Sequence, residues 1–380
     1  MRLLFVYILM ACFTMNSLSA QPKFTVDGYL SSMASMQFMK DSSDKVWDYV
    51  LHNRINTSWY ASDNFHVKLQ VRNQFLWGES IEIDPAYPEN TAADKGFFDM
   101  NWNLASGKNT ILNTQFDRFF AQYTHQNFEF TLGRQRINWG RSLVWNPNDL
   151  FNVYSYYDFD YPERPGSDAF RAVYYSGTAS TFELAGKLDS AKHLSIAGLT
   201  KFNKWAYDIQ FLAGYSNGQD FVLGIGWEGS LKLFSFRGEA SYFHPQKAFS
   251  DSLGVLLATL GTDYTFKNNV TLQAEFLYND KKTRASLTDL MTEPGSAKSL
   301  SPSRYNFFVN LTYPITPIVS VYAAGMYYTD QNGFFLMPGI DVSLQSTLNF
   351  SIIYQYFNIE VFNQQRISMN RLFARLKWNF

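Results

Sequence analysis

Residues 132–168, LGRQRINWGRSLVWNPNDLFNVYSYYDFDYPERPGSD, hold the densest set of chemically capable side chains in the chain. Arg134, Arg136 and Arg141 fall within eight residues. Asp149, Asp158, Asp160, Glu163 and Asp168 follow, with Trp139, Trp145, Tyr154, Tyr156, Tyr157 and Tyr161 interleaved. Opposed cations and carboxylates lining a passage set a transverse field and a size cutoff. Tyr and Trp either stack on the faces of sugars or pack the segment against a wall. The arginines can equally pair with the nearby acids and hold the segment down, and the two roles are compatible. A connection this long is functional or disordered, and its aromatic content argues against disorder. The expected constriction and selectivity set is therefore Arg134, Arg136, Arg141, Asp149, Asp158 and Asp160.

Bond-making chemistry has no comparable signature. The histidines, His52, His66, His125, His193 and His244, fall in no metal-binding spacing. There is no phosphate-binding loop. Gly224-Ile225-Gly226 sits in an alternating stretch, where small residues relieve crowding. Glu79, Glu82, Asp84, Glu89, Asp94 and Asp99 crowd one connection but miss the EF-hand spacing, so a solvated loop is expected there rather than a calcium site. The reading is of a non-enzyme with no metal and no cofactor.

Something must position the 132–168 segment, and the rest of the chain has one dominant pattern. It is period two. In residues 65–77, Phe65, Val67, Leu69, Val71, Phe75 and Trp77 share one parity, against His66, Lys68, Gln70, Arg72 and Gln74. In 270–279, Val270, Leu272, Ala274, Phe276 and Tyr278 oppose Thr271, Gln273, Glu275 and Asn279. Residues 205–215 and 305–313 repeat it, and 372–380 closes on Leu372, Ala374, Leu376, Trp378 and Phe380, with Phe373 the exception. Such strands show one face to oil and the other to water. No helical period of any length follows Gln21. No apolar run there approaches the 18 residues of a membrane helix.

Short turns are expected at 61–64, 125–127, 177–179, 202–204, 229–230, 267–269, 314–317 and 345–347, most of them rich in Asn, Gly, Ser or Pro. Longer connections alternate with them, the longest near 78–112, 138–167 and 280–304. Eight turns and nine loops predict about 18 strands (16–18), an even number as bacterial barrels require. The expected fold is all-β: a transmembrane antiparallel β-barrel with short periplasmic turns and long extracellular loops. A barrel this wide leaves an aqueous channel unless loops plug it. By parity, the inward side chains include Lys68, Arg72, Arg171, Arg237, Glu239, Asp263, Glu275, Arg375 and Lys377, which are comfortable against water and costly in a dry core. A soluble β-sandwich also alternates, but does not need so many strands in one domain.

Composition agrees. Aromatics make up 18% of the 380 residues, and the net charge of −1 gives no basis for nucleic-acid binding. Residues 1–20 have the form of a signal peptide, with Arg2, an apolar run from Leu3 to Met10, and Ser-Leu-Ser-Ala ending at Ala20. The mature barrel is then 21–380. The one cysteine, Cys12, lies inside this stretch in a Leu-Met-Ala-Cys context, so lipidation there is the alternative to cleavage at Ala20.

The run Gly133-Arg134-Gln135-Arg136-Ile137-Asn138-Trp139-Gly140, with Asn146-Pro147-Asn148-Asp149 after it, resembles a segment of porin-like bacterial outer-membrane barrel families and, more distantly, of alginate-export-type barrels. The aromatic end, Trp378 and Phe380, resembles the outer-membrane assembly signal read by the barrel-assembly machinery. The resemblance implies a Gram-negative outer-membrane location, contact with outer-membrane lipid and lipopolysaccharide, and passage of small polar solutes. A homo-oligomer fits such a family, although no flat apolar strand face demands one. Acids nearly balance bases, which departs from the basic lumen of an alginate exporter. Three functions follow: a weakly selective channel, an exopolysaccharide export barrel, and a structural or adhesive barrel without an open pore.

Overall fold

Strands that are greasy on one face and polar on the other can cross lipid only if every backbone donor finds a partner, which requires a sheet without edges. The computed structural model has that form. It describes residues 23–39, 44–247, 249–280, 296–360 and 366–380. The expected signal peptide, Cys12 and most of the 280–304 connection lie outside the described residues.

The strands are β1 (Phe24–Met39), β2 (Lys45–Ser62), β3 (Phe65–Gly78), β4 (Asn101–Ser106), β5 (Thr110–His125), β6 (Phe128–Gln135), β7 (Ser167–Gly177), β8 (Ser180–Leu188), β9 (Leu194–Lys204) and β10 (Tyr207–Ser216). They continue as β11 (Asp220–Leu231), β12 (Phe234–Pro245), β13 (Val255–Thr265), β14 (Thr271–Asn279), β15 (Tyr305–Thr316), β16 (Val319–Tyr328), β17 (Gly333–Gln345), β18 (Leu348–Glu360) and β19 (Arg366–Asn379). Each pairs antiparallel with its neighbour, and β1 closes the ring on β19 from Tyr29↔Asn379 to Met39↔Met369. Eighteen strands form the wall. All eight short connections fall at one end of the barrel, together with the start of β1 and the end of β19.

The nineteenth strand, β4, explains an irregularity in the wall. Strand β6 stops at Gln135, where the chain leaves the wall. It pairs with β5 only along residues 119–125 of β5. The same edge of β5, nearer the open end, is occupied by β4, from Asn101↔Gln115 to Ser106↔Ile111. One column of the wall is thus built from two segments, and β4 fills the place β6 vacates. Residues 93–100 continue the patch through a bridge from Gly96 to Asp189. Two one-turn helices, α1 (Glu79–Ile83) and α2 (Tyr87–Ala92), precede β4. They were not legible in the period-two pattern.

Outward side chains form an apolar belt, with Leu132, Leu184, Leu223, Leu260, Val309 and Leu336 exposed. Exposed aromatics flank it at both ends. Trp59, Tyr123, Phe128, Tyr174, Tyr313 and Trp378 lie toward the short turns, and Trp47, Trp102, Phe221, Tyr242, Tyr305 and Tyr327 toward the long loops. This is the girdle arrangement of a membrane barrel.

Several expectations need correcting. Three turns lie further along than their sequence signals. Strand β9 runs through Lys204, and the reversal uses Trp205 and Ala206 at positive φ, so Trp205 is a turn residue rather than an outward strand residue. Strand β11 runs through Leu231 and turns at Lys232, and β15 runs through Thr316. Strands extend past their greasy stretch because pairing continues into water. The interior also departs from the all-polar face expected. Leu199, Leu212, Val222, Phe243, Leu257, Leu277, Phe308, Phe335, Ile353 and Phe373 are buried on the inside of the ring. Apolar side chains are stable there only if something other than water covers them.

Nine tryptophans make the belt testable. In bilayers of brominated lipid, a variant retaining only the exposed Trp59 and Trp378 is expected to lose fluorescence. One retaining only the buried Trp139 and Trp145 is expected to keep it.

Candidate functional site

The covering is supplied by residues 136–166. They leave the wall after Gln135, run round the inside of the ring and rejoin it at Ser167. Their contacts follow the order of the strands. Trp139 donates through Nε1 to Glu183 on β8 (3.1 Å) and accepts at its carbonyl from Gln210 on β10 (2.7 Å). Ser142 meets Thr259 on β13 (2.7 Å). Residues 146–153 fold back, placing Asn148 against β11 and β12 and Asn152 against the Ile137 amide (2.7 Å). Tyr156 then packs on Phe308 of β15, Tyr157 on Phe335 and Phe357 of β17 and β18, and Phe159 on Phe373 of β19. Asp160 pairs with Arg375 of β19 (3.2 Å) and lies 3.3 Å from the His52 ring of β2. Tyr161 donates to Asp117 of β5 (2.6 Å), and Glu163 accepts from Tyr29 of β1 (3.3 Å).

A loop without regular structure carries backbone donors that need partners once buried. Two strand carboxylates meet that need. Glu239 accepts from the amides of Arg141, Ser142 (2.7 Å) and Asn148 (2.9 Å). Glu275 accepts from the amides of Leu143 (2.7 Å) and Trp145 (2.8 Å). Both side chains are buried, and charge-assisted bonds of this kind are stronger than neutral ones. Gly224 and Gly226 leave room opposite: a Cβ on Gly224 would lie 2.6 Å from the Asn148 side-chain oxygen.

The Gly-Arg-Gln run has a clear local logic. Gly133 adopts φ +119°, and a Cβ there would lie 2.3 Å from the Phe119 carbonyl. Arg134 is buried between Asp168 at the start of β7 (2.7 Å) and Asp94 of the patch beside β4 (2.6 Å). It therefore ties together the points where the loop leaves the wall, where it returns, and the segment that covers the gap. Gln135 donates to the carbonyls of Thr131 and Ala169.

The other expected site residues fall into two groups. Arg141 reaches Gln210 (3.0 Å) and Glu228 (3.4 Å). Asp149 is buried with neither carboxylate oxygen hydrogen-bonded among the described residues. Asp158 lies in the field of Arg72 and Arg371. Arg237 pairs with Asp263 and lies near Glu228. Lys377 sits over the Tyr29 ring (3.7 Å), and Arg72 stacks on Tyr161 (3.9 Å) while donating to Gln115 (2.6 Å). Trp378 and Phe380 pack together on the outside, and the Phe380 amide donates to the Gly28 carbonyl across the seam. The second group borders open space. Lys68, Arg136 and Arg171 of the expected set line a cavity of about 250 Å³ on the short-turn side of the loop, together with Gln70, Arg118 and Gln122. Arg171 there also pairs with Glu129 (3.1 Å) and Glu183 (2.9 Å).

Asp117 and Arg118 were missed in the sequence. A register shift opposite Gln70 and Val71 puts both of these neighbours on the inside, so the period-two reading fails there. Asp117 pairs with Arg54, and Arg118 holds the carbonyls of Glu163 (2.7 Å) and Arg164 (2.8 Å).

Solved structures share this architecture. The chain superposes on OccK11 (OpdR) of Pseudomonas aeruginosa with a TM-score of 0.58 and 8% identity, over 94% of this chain and 96% of that one. OccK5 (OpdH) of the same organism gives 0.58 and 8%, over 93% and 98%. OccAB2 of Acinetobacter baumannii gives 0.58 and 10%, over 95% and 100%. At such identities the likeness establishes the fold alone, a closed antiparallel β-barrel of eighteen strands. No family model matches the sequence, and no curated sequence does.

Two outcomes follow for the loop's anchors. Glu275→Gln is expected to lower loop stability by about 1–3 kcal/mol, the usual cost of disrupting hydrogen bonds to a buried charged group. This should appear as faster proteolysis within 141–148 and a lower thermal midpoint in detergent, with strand content unchanged. Burial pushes the Asp149 carboxyl up to about 7, partly opposed by Arg136. The docked loop then prefers the neutral acid. Its stabilising effect is complete below the ordinary aspartate range (about 4) and lost as pH rises through about 7. Asp149→Asn is expected to flatten the fall in thermal midpoint between those pH values.

Proposed function

We propose that this chain is a porin-like channel of the Gram-negative outer membrane, passing small hydrophilic solutes by passive, weakly selective diffusion. The loop of 134–168 is its constriction. The observation that carries this reading is a closed lipid-facing ring whose interior is narrowed by one loop on a built anchor, with a polar, charged cavity left beside it. A barrel serving only as a scaffold has no use for an unfilled charged cavity.

Selectivity arises from the uneven distribution of charge. Lys68, Arg118, Arg136 and Arg171 face the cavity, balanced in part by Glu129 and Glu183. Asp263 stands on β13, nine strands from Lys68 on β3 in a ring of eighteen, and is itself neutralised by Arg237. The net field therefore favours small anions modestly over cations. The role of the site is selection by size and charge, with no bond made or broken. Trp378 and Phe380 serve the assembly machinery, and the aromatic girdles contact lipid and lipopolysaccharide.

A second reading, a barrel without an open pore, draws support from the apolar side chains that seal much of the interior. Planar-bilayer recording separates the two. Purified, folded protein is expected to give discrete conductance steps, and their absence would sink the channel reading. Lys68→Glu and Arg136→Glu are expected to lower the anion-to-cation permeability ratio measured from reversal potentials, while the protein still inserts.

A further inference from the structure

The loop is held differently on two arcs of the ring, and this difference locates the passage. From β8 to β19 it is seated on a continuous apolar cluster, reinforced by buried hydrogen bonds to Glu239 and Glu275. Trp139, Trp145, Leu150 and Phe151 share one buried cluster with Leu199, Leu212, Val222, Leu257 and Phe308, and Tyr156, Tyr157 and Phe159 pack against the same cluster. Water has no route through such a contact. From β1 to β7 the contacts are polar instead: Tyr29–Glu163, Tyr161–Asp117, and Arg118 on the carbonyls of Glu163 and Arg164. The cavity of about 250 Å³ opens on this arc, between β3, β5, β6 and β7.

Resting on the channel reading, we propose that solute passes along the β3–β7 arc alone, touching Gln70, Gln122, Arg118 and Arg136, while the arc from β8 to β19 is sealed by the lumenal loop. The limb 158–164 forms the movable side of the passage. Charge pairs and hydrogen bonds, rather than apolar burial alone, hold it, and water can take the place of such partners where the passage reaches them. The limb 137–148 stays fixed by apolar burial and the two glutamates.

Cysteine accessibility tests this directly. Cys12 is the only native cysteine, so a Cys12→Ser background carries none. Gln70→Cys and Gln122→Cys place a thiol on the proposed path. Ala197→Cys and Ala324→Cys place one on the sealed arc, at buried small residues where the added sulfur is a minor change. Each folded full-length variant is treated with a charged, membrane-impermeant methanethiosulfonate. Labelling is read by mass and current is read in planar bilayers. Positions 70 and 122 are expected to label and lose conductance on modification, and 197 and 324 to remain unlabelled. Labelling at 197 and 324, or modification at 70 and 122 that leaves current unchanged, overturns the proposal while leaving conductance itself intact. A wild-type protein that does not conduct removes the channel reading instead, and the passage falls with it.

Discussion

A backbone amide shut away from water must be given an acceptor, and this chain meets that demand twice. In the wall it is met by closure: β1 and β19 join, so no strand presents an unpaired edge to lipid. Where β6 ends early, β4 takes over its place on β5 and keeps the rule. Inside the ring the demand returns, because residues 136–166 carry amides but no ladder. There it is met by side chains, chiefly the carboxylates of Glu239 and Glu275. These two residues sit on the inward parity, where a polar side chain would ordinarily be read as facing a water-filled pore.

The relative strength of the loop's attachments follows from magnitudes. Burying a large apolar side chain contributes about 1.5–3 kcal/mol, and the first limb buries Trp139, Trp145, Leu150 and Phe151. The second limb depends more on pairs such as Asp160 with Arg375 and Tyr161 with Asp117. The desolvation cost of buried ion pairs offsets much of their attraction. One half of the loop is therefore seated mainly by apolar burial and the other to a greater extent by buried polar pairs. The Arg134 cluster sits at the base of both and couples them to the outer patch through Asp94.

Much of the wall was legible because its cause is local. Alternation in 65–77 or 270–279 needs only that one face meet lipid, and eight turns with nine loops give the strand count directly. The Gly-Arg-Gln run was legible as distinctive, but its reason was not. Gly133 is required by a close approach to Phe119, a residue on another strand. The apolar interior was hidden because strands such as Val255-Leu256-Leu257 are greasy on both faces, which periodicity alone does not assign to a side. Asp117 and Arg118 were hidden by an irregularity that shifts the phase. The substitution of β4 for β6 was beyond reach, since nothing in residues 101–106 says that a strand 22 residues further on will stop short.

The lumenal loop also touches both sides of the seam. Asp160 reaches Arg375 on β19 and His52 on β2, and Glu163 reaches Tyr29 on β1. Its contacts therefore bridge the two strands whose pairing closes the cylinder and the strand beside them. In the finished ring it ties the earliest and latest parts of the polypeptide to one another. The seating of the loop and the strength of the closure thus depend on one set of side chains.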